Sequence, residues 1–154
     1  MKQSYARFIW VGMIVLGAAV AITLCYAQGG GASPLLLRPD LKVHSVTAPG
    51  SASRSAVISV SDVTTNIGNA NAAQSVSDIY ICTNVDSVTT SCWVTNHTTA
   101  GVAIGKSWPW SGSVTVSASQ PLGTNYYIVV ANGNRQVLES NYANNTNYVM
   151  IIIN

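Results

Sequence analysis

The chain has 154 residues, one domain's worth, and only 8% of them are Asp, Glu, Lys or Arg, against about 25% in an average globular protein. Once residues 1–27 are set aside, five basic and five acidic residues cancel. That leaves no basic surface to displace counterions from phosphates, which argues against nucleic acid as a partner. A 48% hydrophobic composition without charge excess argues equally against disorder.

In chain order, Lys2 and Arg7 precede an apolar run, Phe8–Leu24, in which only Thr23 is polar. Cys25-Tyr26-Ala27 follows, then Gln28-Gly29-Gly30-Gly31. A cationic start, an apolar stretch and a small residue form a secretory signal, with cleavage predicted after Ala27. The run lies at the low edge of bilayer-spanning length, so the alternative is an uncleaved inner-membrane anchor through residues 8–24. Residues 28–38 read as a flexible linker and residues 39–154 as the folded domain. Export to the periplasm, cell surface or medium removes Cys25 and leaves Cys82 and Cys92. Two cysteines ten positions apart in an exported chain predict a disulfide. His44 and His97 are the only histidines, and neither stands at ligand spacing from a cysteine.

The exported part contains 17 Ser, 12 Thr and 13 Asn in 127 residues, a composition of turns and half-exposed strands. Strands are predicted at Leu41–Ala48, Ala56–Thr65, Val76–Thr83, Cys92–Thr95, Gly112–Ser119, Tyr126–Ala131 and Tyr148–Ile153, separated by turn chemistry such as Pro49-Gly50 and Asn132-Gly133-Asn134. About seven short strands fit an all-β, two-sheet antiparallel sandwich of immunoglobulin-like type.

Five marks in this order carry a resemblance: Pro39-Asp40-Leu41 opening a strand; Ser59-Val60-Ser61-Asp62 ahead of Asn66-x-Gly68; Asp78–Thr83; Gly123-Thr124-Asn125-Tyr126-Tyr127; and Val137–Asn145. The last resembles a Val-x-Glu-x-x-Glu-x-Asn-Asn signature. Over roughly residues 39–153 the chain resembles CARDB, the bacterial cell-adhesion-related domain. The resemblance implies an immunoglobulin-like module of secreted or surface proteins, with a protein or glycan partner at the cell surface. It implies no catalytic residues. Asp78 stands where the family usually has a basic residue, and Asn141 is taken to replace the second acid of the signature.

Strand parity assigns faces. With Ile79 and Ile81 inward, Asp78, Tyr80 and Cys82 point outward, and the disulfide staples the hairpin there. Asp62 shares parity with Ile58 and Val60, so it is expected inside, where a carboxylate must find donors. One reading has it cap the loop after Asn66. The other brings Asp62, Glu139, Asn144 and Asn145 together as oxygen ligands for Ca²⁺, the one cofactor considered. Trp108 and Trp110 share the parity of Val114 and Val116. They are expected either in the core or as a sugar-stacking pair. Tyr148–Ile153 is apolar on both faces. Either residues 34–39 cover its outer face, or it is an exposed edge through which the chain forms a homo-oligomer. No Gly-x-Ser-x-Gly elbow, dense carboxylate pairing or Gly-rich loop before a helix is present, so a non-catalytic adhesion or interaction module is expected rather than an enzyme.

Overall fold

The computed structural model describes residues 36–154. The expected signal, the membrane-anchor alternative and the linker before residue 36 lie outside the described residues. Eight strands follow in order: β1 (Leu41–Thr47), β2 (Ser51–Ala52), β3 (Val57–Asn66), β4 (Ser75–Cys82), β5 (Trp93–Thr99), β6 (Ser107–Thr115), β7 (Gly123–Val130) and β8 (Thr146–Ile153). A single 3₁₀ turn, Thr90–Cys92, leads into β5. The strands form a three-stranded sheet, β1-β3-β6, and a five-stranded sheet, β2-β8-β7-β4-β5. All pairings are antiparallel except the short β2–β8 contact. The all-β, two-sheet sandwich is thus the observed fold.

Alternation builds the core. Ile58 and Val60 from β3, Ile79 and Ile81 from β4, Tyr127 and Val129 from β7, and Ile151 and Ile153 from β8 all point between the sheets. In β1 the inward set switches from Leu41 and Val43 to Val46, because a register shift between Val43 and Ser45 turns the strand by one residue. Near their ends the sheets are closed by side chains. On one side Asn147 Nδ2 donates to the carbonyl oxygens of Val43 (3.2 Å) and His44 (3.4 Å), joining β8 to β1. On the other, the Trp110 ring of β6 stacks on the His97 ring of β5, with centroids 4.1 Å apart and planes 3° from parallel.

Three elements differ from the sequence expectation. β6 begins at Ser107, five residues before the predicted start, and carries Pro109 in its interior. It is an edge strand, so a missing N–H costs no ladder bond. β5 runs on through Asn96 and His97 to Thr99, because those residues lie on a strand paired fully with β4. β8 is not a free edge along its whole length: β7 flanks one side and β2 pairs with Ile152 and Ile153 on the other. Leu36 and Leu37 are 63% and 65% exposed and do not serve as its cover.

Gly68 shows how tightly the loop after β3 meets the start of β1. A Cβ there would lie 2.5 Å from the Arg38 carbonyl oxygen and 2.5 Å from the Asp40 nitrogen. Both are backbone atoms, so no side-chain rotation relieves the overlap. Gly68→Ala is expected to cost about 1–3 kcal/mol, measured as a lower urea midpoint with an unchanged slope.

Candidate functional site

The carboxylate of Glu139, in the loop before β8, is 2% exposed. Its Oε2 accepts the Leu41 backbone N–H, and its Oε1 accepts Asn132 Nδ2 at 2.6 Å and Asn145 Nδ2 at 2.7 Å. Those amides also hold the local backbone: Asn132 Nδ2 donates to Val137 O at 2.7 Å, and Asn145 Nδ2 to Ala131 O at 3.0 Å. Asn132 does so from a left-handed backbone (φ 51°), which asparagine tolerates better than most residues. The hydroxyl of Tyr142 donates to Val137 O and accepts from Glu139 N–H, both at 3.1 Å. Counted from Glu139, the second acid of the Glu-x-x-Glu signature falls on Tyr142 and not on Asn141. A phenol there bridges the loop where the signature has a carboxylate.

Asn66, at the end of β3, performs the matching task from the other loop. Its Oδ1 accepts from Asp40 N at 3.1 Å and Gly68 N at 3.0 Å, and its Nδ2 donates to Ala70 O at 2.8 Å and Val102 O at 2.9 Å. The loop cap expected of Asp62 is therefore made by Asn66. The two loops do meet at one end of the sandwich, around residues 38–41.

The four residues expected to gather around Ca²⁺ do not converge. Glu139 and Asn145 meet, but through an N–H···O bond. Asn144 Nδ2 donates to Asp40 Oδ1 at 2.8 Å. Asp62 lies between the sheets, 2% exposed, with its Oδ2 at 2.9 Å from His97 Nε2. A calcium site needs several oxygens aimed at one point. Glu139 instead faces three N–H donors, and the oxygens left without a partner, Asp62 Oδ1, Asn144 Oδ1 and Asn145 Oδ1, are split between the His97 pair and the loop before β8, so the four residues do not make one calcium donor set.

Trp110 stacks its face on His97 and lays its six-membered ring over Gly112, where an added Cβ would fall 2.5 Å from the ring. It is packing, and the sugar-stacking pair expected from Trp108 and Trp110 is not formed. Trp108 stays 40% exposed on the same strand. Behind the His97–Asp62 pair, Tyr127 is fully buried and its hydroxyl has no protein partner. Burial, and secondarily the charge of Asp62, hold its phenol far above the ordinary range.

Cys82 and Cys92 form a disulfide with Cα atoms 5.2 Å apart, joining the end of β4 to the 3₁₀ turn. Closing so short a loop stabilises the fold by about 2–3 kcal/mol in the chain-entropy model. Beside it opens a cleft of about 470 Å³, lined in part by Thr83, Ser91, Thr115, Ser117 and Gln120, with Trp93 also on its wall. No charged side chain lines it. The sequence reading missed Trp93; its place directly after Cys92 was the available signal.

Two unlike antiparallel sheets packed face to face define an immunoglobulin-like sandwich. The chain belongs to the CARDB family, whose model matches residues 38–149. It is similar to the crystal structure of a Pyrococcus furiosus CARDB domain in complex with di-metal ions: TM-score 0.58 and 15% identity over 76% of this chain and 90% of that one. The solution structure of that domain matches with TM-score 0.57 and 15% identity over 77% and 97% of the two chains. A domain from Methanosarcina acetivorans matches with TM-score 0.56 and 17% identity over 77% and 94%. At these identities the likeness is one of fold. No curated protein matches the chain.

Two outcomes follow from these networks. Glu139→Gln turns an amide N–H₂ toward groups that themselves donate, and is expected to cost at least about 2 kcal/mol in chemical denaturation. For Tyr127, a raised folded pKa means its stabilisation is complete below the unfolded phenol value and is lost as pH rises above it. Past pH of about 10, stability is expected to fall by roughly 1.4 kcal/mol per pH unit from this group. Tyr127→Phe removes that component from the alkaline slope.

Proposed function

We propose that the protein is an exported adhesion or interaction module of the cell envelope that acts without chemistry of its own. The observation that carries this reading is a CARDB fold stapled by the Cys82–Cys92 disulfide. CARDB domains occur in cell-surface proteins, and oxidising compartments are where such bonds persist. The signal-like order of residues 1–27 supports the same address. Asp62, His97 and Glu139 are the buried ionisable groups suited to acid–base work. Glu139 is held by three N–H donors, Asp62 and His97 are paired with each other between the sheets, and none of the three lines the cleft, which supports a non-catalytic role.

The di-metal ions of the Pyrococcus domain are not carried over to this chain, because both Glu139 oxygens are taken by N–H donors while Asp62 is paired through Oδ2 with His97 between the sheets, so the two carboxylates do not face one point.

Fractionation of expressing cells, with thiol alkylation before lysis, tests the reading. The expected result is an oxidised chain in the envelope or medium. An N-terminus at Gln28 identifies a released module and one at Met1 a tethered module. A reduced chain confined to the cytosol overturns the proposal.

A further inference from the structure

The two outer faces of the sandwich differ in chemistry. On the three-stranded sheet, the outward positions of β3 and β6 include Ser59, Ser61, Thr65, Ser111 and Ser113. On the five-stranded sheet they include four aromatic residues, Tyr80, Trp93, Tyr126 and Tyr148, among polar and aliphatic ones. Register places Trp93 opposite Tyr80, Tyr80 opposite Ile128, and Ile128 opposite Tyr148, in one rung across β5, β4, β7 and β8. At about 4.8 Å per strand spacing, the rung is roughly 14 Å long. The next rung sets Tyr126 opposite Met150, and the Tyr126 and Tyr148 rings meet edge to face with centroids 5.7 Å apart. Ile128 is fully buried although it lies outside the inter-sheet core, so the rings beside it form its cover. Trp93, Tyr148 and Met150 remain 47%, 47% and 57% exposed.

We propose that this aromatic rung is a binding platform for a neutral glycan, with Trp93 and Tyr148 stacking on sugar faces and the hydroxyl-lined cleft beside Trp93 receiving the sugar's hydroxyl groups. The proposal deepens the adhesion reading and rests on it. The electron-rich faces of indole and phenol attract the polarised C–H groups of a pyranose ring. The cleft supplies uncharged donors and acceptors, which fix orientation. Asp78 prepares the platform: its Oδ1 accepts from Trp93 Nε1 at 3.4 Å, holding the indole along the sheet.

Charge decides among occupants. Asp78 is the carboxylate on the rung's flank, and none of the outward positions of these four strands is Lys or Arg. A single-stranded nucleic acid stacks on aromatics only where cations meet its phosphates. Anionic polysaccharides and anionic lipid surfaces meet no cation along the rung itself; Arg54, beside the cleft, donates to Gln120 O at 2.6 Å. A second copy docked through this face by a two-fold axis would bring two Asp78 carboxylates together with no Lys or Arg on the outward strand positions to pair them. A neutral polyol meets none of these obstacles.

Affinity electrophoresis of the full chain, recovered as expressing cells process it, tests the proposal. Native gels are cast with soluble α-glucan, β-glucan, mannan or galactan, and with polygalacturonate as the anionic comparison. Retardation is expected in at least one neutral gel and not in polygalacturonate. Trp93→Ala and Tyr148→Ala should each weaken it at least about tenfold, whereas Trp93→Phe and Trp108→Ala retain it. Circular dichroism of each variant checks that the sandwich is intact. Tyr148→Ala uncovers Ile128 and is expected to lower the melting midpoint by a few degrees, and Tyr148→Phe, which keeps the ring over Ile128, is expected to retain both fold and retardation. No retardation in any neutral gel, retardation indifferent to both alanine variants, or equal retardation in polygalacturonate overturns the proposal. So does a dimer in sedimentation that Trp93→Ala dissolves, which would assign the face to a second copy. Any of these outcomes with an oxidised, envelope-located chain removes the glycan platform alone; a reduced cytosolic chain removes the adhesion reading beneath it.

Discussion

A buried carboxylate with its lone pairs occupied by N–H donors anchors one end of this sandwich. Glu139 sits in the loop before the last strand of the five-stranded sheet, yet one of its oxygens takes the first N–H of β1, in the other sheet. A strand's first amide, buried without a partner, is costly to desolvate. Glu139 removes that cost for β1 while Asn132 and Asn145 neutralise its own second oxygen. Asn66 repeats the arrangement from the loop after β3. Two polar side chains thus tie together the start of β1 and the two loops that flank it. The apolar core alone, being non-directional, would not specify where β1 begins.

The long sides of the sandwich are closed by different chemistry. Asn147 bridges β8 to β1 by hydrogen bonds, and the His97–Trp110 stack bridges β5 to β6. The second closure depends on Gly112, since the indole lies where a side chain would be, and on Asp62, which holds the imidazole from the opposite sheet. With Trp110 engaged there, Trp108 is left half-exposed on its strand, and the larger aromatic surface open to solvent is on the other sheet. It is assembled from residues scattered across four strands.

The strand alternation in β3 and β4 was legible because period-two patterning follows from the pleat itself. Ile58 and Val60, or Ile79 and Ile81, declare their face without any partner. The start of β6 was misplaced because Pro109 interrupts the run ahead of Gly112, and only its edge position makes the proline acceptable. Asp62 was correctly expected inside from parity, but its partner is His97, 35 residues away on the facing sheet. No local spacing carries that information. The calcium cluster failed for a related reason: parity says which way a side chain points, not which atoms of its neighbours face it.

By itself the sequence determined the class of fold, the family, the disulfide and the inward set of most strands, because these depend on local alternation, on turn chemistry and on spacing along the chain. The tertiary structure decided which carboxylate meets which donor, that Trp110 is packed while Trp93 is exposed, and that Trp93, Tyr80, Ile128 and Tyr148 share one rung. Those facts depend on cross-strand register. Register is set by bulges, loop lengths and the joint packing of two sheets, none of which is a property of any one segment.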